Sequence, residues 1–112
     1  MDRHRQQRHQ LRASIIKAMA HPSRLCVIEA LERGESCVQD LRDLIGCDMS
    51  TVSKHLAILR EAGIIESRKE GPKIFYRLRV PCIMNFFGCI DAVNQANAER
   101  YASLQPLRGA GR

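Results

Sequence analysis

Two amphipathic segments separated by only three residues constrain this chain more than any other feature. In Cys37–Ile45, the residues Val38, Leu41, Leu44 and Ile45 fall on one helical face. In Met49–Ala62, the residues Met49, Val52, Leu56 and Leu59 recur at three- and four-residue spacing. Gly46-Cys47-Asp48 joins them, and so short a link forces the two helices to pack against each other at a steep angle. Gly46 ends the first helix, and Asp48 is placed to cap the second. Ser36 is the expected cap for the helix over Cys37–Ile45.

The rest of the chain supplies the elements around this pair. Residues 1–10 read as a basic arm or a frayed helix start, since four Arg and two His lie within the first twelve residues. A domain over 11–104 follows, and 105–112 read as a loose tail. Leu11, Ile15, Ala18 and Met19 mark a first helix. His21-Pro22 interrupts it, because the residue before proline avoids the helical region and proline suits a helix's first turn. Leu25, Ile28 and Leu31 form the apolar stripe of the second helix. After Gly63 the pattern switches to period two, with strands expected over Ile64–Lys69 and Lys73–Val80 around a Gly71-Pro72 turn. Pro81 opens a last helix running to about Leu104, apolar at Ile83, Phe86, Phe87, Ile90 and Val93. The fold class read from this order is mostly α with a two-stranded β wing.

With its core positions removed, the second helix of the pair starts with Ser50, Thr51, Ser53, Lys54 and His55. These are donors and acceptors of the kind that meet phosphates and base edges in the major groove. Residues 50–79 hold seven Lys/Arg against three Glu, a local excess of +4. Arg68, Lys69, Lys73 and Arg77 lie on or beside the hairpin, placed to reach the DNA backbone or minor groove, and Lys69, Lys73 and Arg77 are the expected wing contacts. The whole chain carries 18 Lys+Arg and 12 Asp+Glu in 112 residues, a net +6. That balance suits a nucleic acid partner. No apolar run reaches the ~18 residues of a membrane span, and the charged N-terminus lacks a signal-peptide core, so a cytoplasmic protein with no membrane partner is expected.

These segments resemble the ArsR/SmtB family of small winged helix-turn-helix repressors, over about Lys17 to Asp91. MSTVSKHLAILREAGII at 49–65 is similar to the family's recognition helix and first wing strand. KAMAHPSRLCVIEAL at 17–31 resembles its opening helices, and EGPKIFYRL at 70–78 its wing. The resemblance implies a homodimer built from the first and last helices. It implies binding to double-stranded operator DNA without a cofactor, and release when an ion or oxidant occupies a cysteine or histidine site.

The inducer site is where the sequence departs from the family. Arsenic-responsive members carry three thiols in ELCVCDLC at the third helix. Here the segment is Glu35-Ser36-Cys37-Val38-Gln39-Asp40-Leu41-Arg42, and only Cys37 matches. Of the five cysteines, Cys26 reads as core and Cys47 fills the interhelical corner. Cys37, Cys82 and Cys89 are the candidate inducer ligands. Cys82 and Cys89 are seven residues apart, ~10 Å along a straight helix. Two thiolates on one ion must lie within about 4 Å of each other. Either Cys82 lies in a non-helical segment after Pro81, or each thiol pairs elsewhere, with Cys37 or across a dimer.

Thiolates favour As(III) or another thiophilic ion. The alternative is a repressor of the same fold responding through its thiols to oxidant or sulfide species. The zinc site of some relatives is not expected, since no His follows Pro81 and only Asp91 and Glu99 could serve as hard ligands. A small cysteine-rich metal carrier is the remote alternative. An enzyme is not expected, because no CxxC, phosphate loop or paired carboxylates occur.

Overall fold

The computed structural model describes residues 1–104, so the expected tail over 105–112 lies outside the described residues. Two compact units make up the chain, Met1–Pro81 and a second from Cys82 onward.

The first unit begins with α1, Arg3–Met19. Asp2 caps it by accepting from the Arg5 backbone N–H at 2.8 Å. The expected arm over 1–10 is therefore helical from Arg3 on. A capping aspartate and a run of Arg and Gln, both good helix formers, account for this start. In this unit α1 buries only Ala18 and Met19, leaving Leu11 and Ile16 exposed. Helix α2, Pro22–Glu32, starts on proline, with His21 extended ahead of it and accepting from the Ser23 N–H through Nδ1.

The next segment corrects the expected helix start. Ser36–Cys37 form a short strand, β1, and α3 spans Val38–Ile45. Ser36 does not cap α3, because its backbone is drawn into the sheet opposite Tyr76. Cys37 occupies the capping position and makes no side-chain capping bond. Gly46 closes α3 at φ +81°, in the left-handed region that favours glycine, with its N–H on the Arg42 carbonyl. Helix α4 spans Met49–Glu61.

Strands β2, Ile65–Glu70, and β3, Lys73–Leu78, form the hairpin, shifted by one or two residues from the expected bounds. The sheet has three strands in the order β1-β3-β2, all antiparallel, so the two-stranded wing gains a third, two-residue edge strand. The core gathers Val27, Ile28 and Leu31 of α2, Leu41 of α3, Val52, Leu56 and Leu59 of α4, and Ile64, Ile65 and Tyr76. Each such aliphatic side chain contributes about 1.5–3 kcal/mol by leaving water. That burial fixes α4 against α2 and α3.

A 3-10 turn over Pro81–Ile83 crosses from the first unit into the second, where α5 spans Met84–Ser103. None of its described residues is buried, and Ile90, Val93 and Tyr101 are exposed. Among the described residues no helix is long and apolar enough to cross a membrane.

Candidate nucleic-acid interface

Helix α4 owes its position to both its cap and its apolar stripe. Asp48 accepts from the Thr51 N–H at 2.7 Å and from the Ser50 hydroxyl at 3.2 Å. Hydrogen bonds from Thr51 first, then Ser50, hold the Asp48 carboxyl below its ordinary range. Val52, Leu56 and Leu59 face the core. This leaves Ser50, Ser53 and Lys54 exposed, three and four residues apart and hence on one face of the helix's first two turns. Thr51 is half-buried beside them.

His55 does not belong with this face. Its ring packs against that of His21, with centroids 4.4 Å apart, and its Nδ1 is buried without a partner. Burial, then His21 and Arg24, depresses its pKa. The sequence signal for this inward turn was its spacing from Thr51 and Leu59 along α4, which places it at the margin of the apolar stripe.

The wing carries its charges unequally. In the β2–β3 register Glu66 faces Arg77, Arg68 faces Phe75 and Glu70 faces Lys73, while Lys69 faces Ile74. Residues alternate between faces along a strand, so Lys69 and Lys73 lie on opposite faces of the hairpin near its tip. Arg77 donates to Glu66. Arg68 donates to both carboxylate oxygens of Glu35 at 2.8–3.1 Å, bonds Glu70 at 3.1 Å, and lies over the Phe75 ring at 4.8 Å. These bonds raise the Arg68 pKa and lower that of Glu35. Among the described residues Lys69 and Lys73 have no ion-pair partner. Of the three wing residues singled out from sequence, Arg77 is thus already paired. The Glu35–Arg68 bridge had no local sequence signal, because its ends are 33 residues apart.

The comparisons with known proteins bear on this arrangement. The uncharacterized HTH-type transcriptional regulator Rv0081 of Mycobacterium tuberculosis is 31% identical over 105 residues, covering 92% of each chain. The family described as bacterial regulatory protein, arsR family, matches residues 21–67.

The chain belongs to the arsR family.

The matched stretch runs from the head of α2 through α3 and α4 into β2, so it contains the helix pair and the start of the wing. Solved structures agree with this assignment. The homodimeric winged helix-turn-helix DNA-binding domain Mb0332 from Mycobacterium bovis superposes with a TM-score of 0.74 at 25% identity. It covers 89% of this chain and 93% of that one. The transcriptional repressor BigR from Xylella fastidiosa superposes with a TM-score of 0.70 at 33% identity, covering 83% and 96%.

In this arsR-family chain all five cysteines are free thiols. Cys37 is buried, Cys26 and Cys47 are half-buried, and Cys82 and Cys89 are exposed. Cys82 lies in the 3-10 turn, outside α5, and Cys89 lies within α5. Among the described residues no three His, Cys, Asp or Glu side chains stand together as a metal site.

Proposed function

We propose that this chain is a homodimeric repressor of transcription that acts in the cytoplasm, with α4 in the major groove of an operator. The observation that carries the reading is the shared exposure of Ser50, Ser53 and Lys54 on a helix held in place by Val52, Leu56 and Leu59. Thr51 lines the edge of that contact. Lys69 and Lys73 approach the backbone from the two faces of the wing, and Arg77 joins them when DNA competes with Glu66. Leu11 and Ile16 on α1, and Ile90, Val93 and Tyr101 on α5, are apolar surface that a second copy would cover. The likeness to a homodimeric domain and to a repressor supports both parts of the reading.

The inducer in this reading is As(III) or another thiophilic ion, taken by the candidate thiols Cys37, Cys82 and Cys89, each completed by thiols of a second copy rather than by one another on a single helix. Cys82 and Cys89 are exposed on the single chain, which supports the access of a soluble ion before or at the edge of the dimer contact. The same exposure favours a second reading, in which two thiols lose two electrons and two protons to an oxidant and form a disulfide. Either event lowers DNA affinity only by favouring the DNA-free form, with couplings of about 1–3 kcal/mol.

Fluorescence anisotropy on the duplex upstream of the chain's own gene tests the reading. Reduced protein should bind that duplex far more tightly than an unrelated one, with an affinity that falls steeply with salt. Lys54→Ala should weaken binding and flatten the salt slope. Equal binding to both duplexes would overturn the repressor reading. Release at stoichiometric arsenite supports the thiophilic inducer, whereas release by a mild oxidant alone supports the second reading.

A further inference from the structure

Arg24 is placed where an arginine has no ion-pair partner among the described residues and meets an unfavourable field. It lies in the first turn of α2, two residues after Pro22, and that turn contains no acidic residue. The amide dipoles of a helix make its first turn positive, so a cation there is opposed rather than helped. Its Nε is buried and makes no hydrogen bond. A buried donor left unmade costs the full desolvation of the group, and more when the group is charged. The wing arginines show the opposite treatment, since Arg68 and Arg77 are both matched to carboxylates.

What lies beside Arg24 resolves this cost. A cavity of about 320 Å3 opens among α1, α2 and α4, lined by Ser14, Lys17, Ala18, Arg24 and Ile58. Its lining holds two cations and no carboxylate. Lys17 has no ion-pair partner among the described residues. The Ser14 hydroxyl is already spent as a donor to the Leu11 carbonyl. The remaining walls, Ala18 and Ile58, are apolar, and Ile58 is 39% exposed although Leu56 and Leu59 on α4 are buried.

We propose that this cavity binds a small organic carboxylate with a short hydrocarbon or aromatic body. The carboxylate takes Arg24 and Lys17, which gives the buried Arg24 Nε the acceptor it lacks. The body of the ligand lies on Ala18 and Ile58. An inorganic phosphate would satisfy the cations but gain nothing from the apolar wall. Ile58 belongs to α4, so an occupant touches the helix assigned to the groove. Any effect on DNA binding rests on that assignment, whereas ligand binding itself does not.

Isothermal titration calorimetry on the full chain without DNA tests the site, with benzoate and butyrate as probes and benzyl alcohol and inorganic phosphate as controls. Benzoate should bind, and benzyl alcohol and phosphate should bind at least about tenfold more weakly. Arg24→Gln and Lys17→Gln should each weaken benzoate about tenfold. The free Arg24→Gln protein should melt no lower than the parent, because the substitution removes an unpartnered charge, and benzoate should raise the melting temperature of the parent alone. Three results would overturn the proposal: no carboxylate binding, binding that both variants retain, or a lower melting temperature of free Arg24→Gln. So would phosphate binding as tightly as benzoate, coupled to a flatter DNA salt slope in Arg24→Gln. That pattern would make the cavity a contact for backbone phosphate.

Discussion

The His55 ring on α4 stacks at 45° on that of His21 at the head of α2, 4.4 Å between centroids. His21 Nδ1 accepts from the Ser23 N–H, so its proton-bearing nitrogen is Nε2 as long as it caps α2. The groups that oppose protonation of His55 besides burial are His21 and Arg24. Burial is the larger cause of its lowered pKa. The folded chain therefore binds fewer protons at His55 than the unfolded chain does, whose histidine titrates near ~6.5. The resulting stability is whole above that pH and is lost as the pH falls through the lower, folded value. Melting temperature should decline on acidification below about 6.5, and His55→Gln should flatten that decline. An equally steep decline in the variant would assign the acid sensitivity elsewhere.

Asp48 links the cap of α4 to the residues assigned to the groove. Asp48→Ala removes the acceptor for the Thr51 N–H and frees the Ser50 hydroxyl. The melting temperature should fall by a few degrees, as it does when a helix loses its N-cap. Because the folded Asp48 pKa is depressed, this difference should be present above the usual carboxylate range and shrink as the pH falls through the folded value. DNA affinity should fall with it, since Ser50 loses its anchor. Asp48→Asn keeps an acceptor and should recover most of the melting temperature.

The wing separates free cations from engaged ones. Lys69→Ala and Lys73→Ala should each lower the salt slope of duplex binding by about 0.9 for the phosphate contact removed. Glu66→Gln should act in the other direction. It releases Arg77 from its carboxylate, so binding should tighten and the slope steepen. Stability should hardly change in any of the three, because exposed ion pairs contribute little. An unchanged slope in Glu66→Gln would place Arg77 away from phosphate.

How far the sequence carried these assignments depends on the range of the interaction. Helices α2, α3 and α4 follow from periodicity and from Pro22, Gly46 and Asp48, all of them local signals. The hairpin follows from alternation around Gly71-Pro72. A two-residue strand has no period to detect, so from sequence Cys37 reads as the start of a helix with Ser36 as its cap. Only the pairing of β1 with Tyr76 and Phe75, 38 to 40 residues away along the chain, defines it. The same limit hid the candidate site's engaged charges. Arg68 reads as a free wing cation until Glu35 folds beside it, and His55 reads as a groove residue until His21 packs on it. Thiol exposure was not legible either, since Cys37 and Cys89 both stand in helical patterns of similar composition.

Thiol accessibility gives the final test. Cys82 and Cys89 are exposed on the second unit, while Cys37, paired with Phe75 in the sheet, is buried. A thiol reagent meets an exposed thiol directly, but a buried one only after local opening, at a rate set by the stability of the region. Native protein treated with an aromatic disulfide reagent should label Cys82 and Cys89 first and Cys37 last, as read by peptide mass mapping. Binding of a thiophilic ion at Cys82 and Cys89 should protect those two selectively. The double variant Cys82→Ser, Cys89→Ser should keep the parent's duplex affinity, since neither residue lies on α4 or the wing, and should lose release by arsenite and by oxidant alike. A double variant that binds DNA and still releases it fully would move the inducer site away from α5.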